Sequence, residues 1–234
     1  ETDGVEGVAF QVGDEGIAYG TVPDDIECEV EGMNLGFALE VSQKTGLFLD
    51  QRDNWAQIAP FAKGARVFDG HCYAGAWSVY SAKHGATEVL GVDSSQAALD
   101  AANANAQRNG VENACSFVRG DVQEVLATSG TFDVVLVDPP ALAKKRSQIT
   151  KALGAYRALN RDAMKAVKPG GILVTSSCSQ PVDREAFLEM LKRASASAQR
   201  RVQLLGLYGA SKDHPVLLAM PETAYLKCAV LRVL

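Results

Sequence analysis

Arg66-Val67-Phe68-Asp69-Gly70-His71-Cys72-Tyr73-Ala74-Gly75 is the stretch that decides the fold. A short apolar run ends in an aspartate, a turn containing two glycines follows, and a helical pattern then occupies 76–84. The same unit recurs down the chain. Apolar runs at 66–69, 88–92, 116–119, 132–137 and 172–175 alternate with helical stretches at 76–84, 96–108, 152–167 and 184–198. That alternation is the signature of a parallel sheet with crossover helices. Ser94-Ser95 and Asp183 are good N-caps for the second and fourth helices, and Gly110 and Pro169-Gly170-Gly171 supply stops. Runs at 202–207 and 224–233 have no long helix between them, so the sheet is expected to finish with an antiparallel, hairpin-like pair.

Outward from this core, residues 1–50 are rich in glycine, acids and β-formers, with alternation at 26–30 and an extended pattern resuming at 35–41. The expected division is a β-rich segment at 1–58, part of a truncated central domain, and an α/β domain at 59–234. The acidic, abrupt opening reads as a start inside a longer protein. An apolar fraction of 47% and a charged fraction of 22% exclude disorder. No apolar run nears the ~20 residues of a membrane span, and no signal peptide opens the chain, so a cytoplasmic location with no membrane partner is expected. The five cysteines are odd in number and widely spaced, which argues against a disulfide framework or a metal site. The net charge of −5 hides an asymmetry, because residues 1–60 hold 13 acids and 2 bases and the remainder holds 15 acids and 21 bases. The larger part is therefore basic.

In an open parallel sheet, ligands bind beyond the carboxyl ends of the strands. Here those ends are repeatedly aspartate. Asp69-Gly70 leads into Gly75, where glycines let backbone approach a ligand. Asp93, 24 residues after Asp69, can accept hydrogen bonds from ribose hydroxyls, and Asp121-Val122 places a carboxylate near an adenine amino group. Asp138-Pro139-Pro140 closes the fourth strand with a rigid, donor-poor turn against which a base could be held. A single such aspartate has a simple capping explanation, but the ordered set points to a nucleoside cofactor.

These stretches resemble the class I, Rossmann-like S-adenosylmethionine-dependent methyltransferases. More narrowly, they resemble the bacterial 23S ribosomal RNA cytosine-C5 methyltransferases that carry an N-terminal PUA domain, here absent. The likeness covers roughly 35–234. It rests on 44–54, Cys72-Tyr73-Ala74-Gly75, Gly91-Val92-Asp93-Ser94-Ser95, Asp138-Pro139-Pro140, Thr175-Ser176-Ser177-Cys178-Ser179 and Asp213-His214-Pro215-Val216. The resemblance implies a mostly parallel seven-stranded sheet with an antiparallel C-terminal strand, preceded by a small β-rich segment. It implies S-adenosyl-L-methionine held by Lys44, Gln51, Arg52, Asp69, Tyr73, Gly75, Asp93, Ser94, Asp121 and Asp138, with Gly70 and Val122 beside them. Without it, 44–54 reads as the end of a hairpin.

Carbon 5 of cytosine is a poor nucleophile, so a group must first add to carbon 6, and thiolate suits the task. Cys178 lies 40 residues after Asp138 on the same strand-end rim, and the resemblance makes it the catalytic cysteine. Asp138 would orient the base, and a carboxyl near ring nitrogen 3 would favour addition. Ala141-Leu142 after the Pro-Pro turn fits a single-cysteine pattern and disfavours exocyclic-amine methylation. Methylation of an exocyclic nitrogen or of uridine, and a non-catalytic RNA-binding module, are the rivals, and the cysteine separates them. Lys144, Lys145, Arg146 and Lys151 could grip phosphates of ribosomal RNA or form a solvated face. The expected partner is ribosomal RNA, with a homodimer left open. No metal is expected.

Overall fold

A computed structural model describes residues 7–12, 15–20, 25–38 and 46–234. Two antiparallel hairpins come first, β1 (Gly7–Val12) with β2 (Glu15–Gly20) and β3 (Asp25–Val30) with β4 (Met33–Ala38). Short helices α1 (Arg52–Trp55) and α2 (Ala59–Ala62) lead into the α/β unit. Its strands are β5 (Arg66–Gly70), β6 (Glu88–Asp93), β7 (Cys115–Arg119), β8 (Phe132–Val137), β9 (Val167–Ser177), β10 (Val202–Tyr208) and β11 (Lys227–Val233). Its helices are α3 (Ala76–Lys83), α4 (Gln96–Arg108), α5 (Val122–Thr128), α6 (Ile149–Ala166) and α7 (Arg184–Ala198).

The seven-stranded sheet has the order β10-β11-β9-β8-β5-β6-β7, with β11 antiparallel to both its neighbours. The chain builds outward from β5 to β7, then returns to lay β8 on the other side of β5. This reversal opens the crevice in which α/β proteins bind ligands. Burial explains why β8 is so apolar. Val135 and Val137 join a core with Phe68, Tyr156 and Phe187 on one face, while Val134 and Leu136 join Val67, Trp77 and Val89 on the other. A strand covered on both faces has no polar side to show.

Ser95 and Asp183 cap α4 and α7 by accepting hydrogen bonds from Ala98 N and Ala186 N, as their sequence contexts suggest. Several local expectations fail. The segment after Gly46 is not a hairpin end but a 3-10 turn (Leu49–Gln51) running into α1. α5 is a helix that the strand-end reading of Asp121 overlooks. Pro169-Gly170-Gly171 does not end an element. It forms a bulge within β9, where pairing to β8 shifts between Phe132 and Val134. The last two strands do pair antiparallel as expected, with β11 lying between β10 and β9. Among the described residues, no helix is long and apolar enough to cross a membrane.

The β3–β4 hairpin is tied to α4 by side-chain amides that imitate a neighbouring strand. Asn105 accepts from Gly36 N (2.7 Å) and donates to Gly36 O (3.1 Å), and Asn109 does the same for Asn34 (3.0 and 2.7 Å). Asn105 also donates to Ala74 O (2.9 Å), so one buried amide joins the hairpin, α4 and the loop after β5. Met33 and Leu35 of β4 are fully buried beneath these contacts. Asn105→Ala should leave these buried backbone groups unpartnered and cost about 2–4 kcal/mol, at ~1–3 kcal/mol for each orphaned group with partial relaxation. Urea denaturation of the two proteins measures this directly, and a loss under 1 kcal/mol would show that the hairpin does not depend on the clamp.

Candidate functional site

The loop after β5 is tightly curled. His71 N and Cys72 N both donate to Val92 O (2.8 and 3.1 Å), and His71, Tyr73 and Gly75 take positive φ values of 64°, 48° and 78°. Left-handed backbone at two non-glycine residues is strained and is held only where surroundings enforce it. Asp93 provides part of that enforcement, because its carboxylate accepts from Tyr73 N (3.1 Å) and Ser95 N (2.9 Å). Gly75 is required on two counts, since a Cβ there would also come within 2.9 Å of Ala102 Cβ. Gly70 is required for packing, because a Cβ would meet Val122 Cγ1 at 2.6 Å.

Above this loop lies a cavity of about 240 Å³. Gln51, Tyr73, Asp93, Ser94, Asp138 and Cys178, all expected from the sequence, line it. Asp69 sits behind the wall, fully buried, with Ser78 Oγ donating to Oδ2 at 2.6 Å and Oδ1 lacking any hydrogen-bond partner. Burial pushes its carboxyl up to about 7, with repulsion from Asp138 and Asp93 adding to the effect. Asp138 accepts from Gln51 Nε2 (3.0 Å) and Trp77 Nε1 (3.4 Å), and the Gln51 amide also reaches Ser176 Oγ (2.9 Å). Burial raises Asp138 to about 6 despite these donors.

The other expected residues stand away from the cavity wall. Gly70, Gly75 and Val122 pack behind it. Asp121 caps α5 by accepting from Gln123 N and Glu124 N. Its charge, with that of Asp93, opposes the burial that lowers the His71 imidazole, so all three groups lie close together. Arg52 faces away and pairs with Asp213 (3.6 Å) and Glu31 (3.8 Å). Lys44 lies outside the described residues.

Cys178 also lines a second, outer cavity of about 450 Å³ with Gln180, His214, Glu222 and Tyr225. The thiol therefore stands where an inner chamber meets an outer groove. Its segment is anchored through Ser179, whose hydroxyl accepts from Ala143 N (2.9 Å) and bonds the Tyr156 hydroxyl (2.9 Å). Ala143 belongs to the loop after Asp138-Pro139-Pro140, and the exposed Lys144, Lys145 and Arg146 follow it directly, with Lys151 exposed on the first turn of α6.

Sequence reasoning passed over several groups here. Phe48 packs edge-on against Tyr73 with ring centroids 5.1 Å apart, and Phe37 and Trp77 also line the inner cavity. Asp50 accepts from the Tyr225 hydroxyl (2.7 Å), and the Lys227 ammonium donates to Ser179 O. Buried polar groups in a short turn, such as Asp50, Gln51 and Asn54, offered the one usable signal.

The chain matches the family of S-adenosylmethionine-dependent methyltransferases over residues 21–206. It is 39% identical over 225 residues to the "Ribosomal RNA large subunit methyltransferase I" of Aeromonas hydrophila, spanning 93% of this chain and 56% of that protein. It is 39% identical over 211 residues to the protein of the same name from Photobacterium profundum, spanning 88% and 53%. The chain thus spans about half the length of these relatives. Among solved structures, SMU.776 complexed with SAH superposes with a TM-score of 0.81 at 22% identity, over 92% of this chain and 58% of that one. A SAM-dependent methyltransferase from Agrobacterium tumefaciens gives 0.69 at 18% identity, over 96% and 75%. These likenesses share the fold. They correct the narrower resemblance drawn from the motifs: the relatives named are large-subunit ribosomal RNA methyltransferases, a family of the same kind, but neither the family match nor those names supports an assignment defined by a PUA domain.

The two raised carboxyls fix a pH dependence. A carboxyl whose folded value lies above its unfolded one stabilises fully below the ordinary carboxylate range, and that contribution is lost as pH rises through about 6 for Asp138 and about 7 for Asp69. Asp69→Asn keeps the shape and an acceptor for Ser78 but cannot ionise. In chemical denaturation of the cofactor-free protein, this variant should lose less stability between pH 5 and pH 8 than the parent. Parallel pH curves would mean that Asp69 is not held protonated.

Proposed function

The chain belongs to the S-adenosylmethionine-dependent methyltransferase family, and on that premise we propose that it is the catalytic part of an RNA methyltransferase forming 5-methylcytosine in 23S ribosomal RNA. The observation that carries this reading is the place of Cys178, shared between the inner cavity and the outer groove and beside Pro139 O (4.0 Å from its sulfur). We take residues 59–234 as the methyltransferase domain, preceded by a β-rich segment at 1–58 whose second hairpin packs on α4. The relatives' name supports ribosomal RNA as the substrate and hence a cytoplasmic site of action.

The inner cavity fits the cofactor chemically. An adenosine bearing a sulfonium and an ammonium needs acceptors for ribose hydroxyls, an apolar wall and carboxyls for its positive charges. Asp93 has acceptor capacity left after two backbone amides, since a carboxylate offers about four lone-pair sites. Phe48 and Tyr73 supply the apolar wall, and Asp121 stands near the Asp93 end for the base. Asp69, with an orphaned buried oxygen, and Asp138 await positive charge. Gln51 steadies Asp138, while Gly70, Gly75 and Val122 hold the loop against α4 and α5. When bound, the cofactor supplies an electrophilic methyl group.

In this reading a target cytosine leaves its stack and enters the outer groove. The Cys178 thiolate adds to carbon 6, and the electron pair moves toward carbon 5. A carboxyl raised to about 6 is part protonated near neutral pH, so Asp138 can donate to ring nitrogen 3 and favour the addition. After carbon 5 gains a methyl, it loses its proton to water, ring nitrogen 3 gives its proton back to Asp138, and the carbon–sulfur bond breaks to restore the thiolate. Lys144, Lys145, Arg146 and Lys151 would hold flanking phosphates.

Labelled S-adenosylmethionine and unmodified ribosomal RNA, followed by nucleoside analysis, should yield 5-methylcytosine; label in any other nucleoside contradicts the reading. Cys178→Ala should reduce transfer to background while calorimetry finds cofactor affinity nearly unchanged. Asp93→Ala should weaken cofactor binding roughly 10- to 100-fold, as expected for losing charge-assisted hydrogen bonds of ~1.5–3 kcal/mol. Unaltered affinity in a folded Asp93→Ala protein removes it from the cofactor set.

A further inference from the structure

Lys227 opens β11 and is only 4% exposed. A lysine this deep needs both hydrogen-bond acceptors and a compensating charge. Acceptors are present, because its ammonium donates to Ser179 O and Tyr225 O, each at 2.8 Å. Carbonyls satisfy the hydrogens but not the charge, and among the described residues no carboxylate lies within ion-pair distance of Lys227.

The geometry brackets Cys178. The backbone of Lys227 is paired opposite Ser177, and its side chain returns to the carbonyl of Ser179, so the residue as a whole, backbone and ammonium, meets the neighbours on either side of the thiol. We propose that Lys227 is a positioning residue that holds Cys178 as a thiolate, its ammonium serving as the counter-charge from beneath the strand end. The thiol proton leaves to solvent, and the ammonium keeps its own protons. This rests on Cys178 as the nucleophile only for its functional meaning; the ion pair itself can be tested without catalysis.

Asp138 and Glu222 share the cavities that Cys178 lines and oppose a thiolate, which leaves the ammonium as the charge that favours it. Burial pulls Lys227 down, and with the charges of Cys178 and of Asp183, ahead of α7, partly offsetting it the ammonium comes to about 8. Even there it stays mainly protonated at neutral pH. Tyr156 from α6 and Tyr225 ahead of β11 also face the thiol, and burial pushes both phenols up, so neither brings a competing charge. Asp50, the nearest carboxylate to Tyr225, is engaged by that hydroxyl (2.7 Å). Lys227 does not line the inner cavity, so its role is separable from cofactor binding.

The test is alkylation of Cys178 by iodoacetamide as a function of pH, followed by mass spectrometry of the Cys178 peptide so that the other thiols do not contribute. The parent protein should alkylate with a midpoint clearly below the ~8.5 of an ordinary cysteine. Lys227→Met should raise that midpoint by about one pH unit or more and slow alkylation at pH 7 roughly tenfold, as expected on removing an adjacent opposite charge. Lys227→Arg should keep the low midpoint. A merely structural lysine predicts a different result, in which the limiting rate at high pH changes and the midpoint does not. An unshifted midpoint in folded Lys227→Met overturns the proposal. Should that variant not fold, a parent midpoint at or above about 8.5 overturns it equally. If Cys178→Ala retained methyl transfer, the nucleophile reading would fall while the alkylation midpoint still judged the ion pair.

Discussion

Asp69, fully buried, and Asp138, half-buried, are carboxyls at the ends of two adjacent parallel strands, and the site is organised around keeping them there. β5 and β8 are paired Gly70 to Val137, and Asp138 N donates to Gly70 O (3.2 Å), so the two acids cannot separate without breaking the sheet. Asp69 is sealed from water, and Asp138 reaches it only through the cavity wall. The structure answers with donors brought from elsewhere: Ser78 from α3 for Asp69, and Trp77 from α3 and Gln51 from the N-terminal side for Asp138. Gln51 is itself held by Asn54, whose amide also reaches Gly209 O beyond β10. The requirement to solvate one carboxyl thereby couples the chain ahead of β5 to the segment that follows the sheet's edge strand. Donors reduce the cost of burial but do not remove it, and both groups remain raised.

How much of this was readable depends on whether local pattern or distant contact places a residue. β8 is legible because a strand buried on both faces must be apolar throughout, and the aspartates are legible because an acid closing such a run is costly unless used. Asp93 and Asp138 follow from that logic, Tyr73 and the role of Cys178 come from the family resemblance, and the four meet in one cavity. Seven-residue α5 was not legible, since it is too short to display a helical period and Asp121 had already been read as a strand end. The turn and helix at 49–55 were misread for a different reason. Their polar residues are buried by partners more than a hundred positions away, such as Ser176 and Ser211, and no local rule foretells that. Lys227 is the same case, because a lysine at the start of a strand reads as an exposed edge until β11 is seen to lie inside the sheet. The PUA-based assignment went beyond what the motifs could support, since none of them lies in such a domain.

The thiol's position is as constrained as the acids'. Three separate elements meet at Ser179, the residue after it: the Pro139-Pro140 loop through Ala143 N, α6 through the Tyr156 hydroxyl, and β11 through Lys227. A nucleophile held from three directions gives up little orientational freedom when a substrate arrives, which is where much of a rate gain can originate. The loop that fixes Cys178 is also the loop that presents Lys144, Lys145 and Arg146 to solvent. Contact with phosphates there would be transmitted over a few residues to the thiol and to Asp138.

On the proposed function, Asp138 faces conflicting demands. Toward the cofactor it is most useful ionised, and toward ring nitrogen 3 it is most useful protonated. A carboxyl raised to about 6 lies close enough to neutrality to serve both, whereas an ordinary one near 4 would almost never carry the proton. Asp69 does not share the conflict. It sits behind the cavity wall, is raised in part by the charge of Asp138, and keeps one oxygen without a partner. With Asp69 raised to about 7 and Asp138 to about 6, Asp69 keeps its proton the more readily, and Asp138 is the carboxyl free to change state for the base. Burying the two carboxyls together, which as a matter of stability is only a cost, then divides the labour between them.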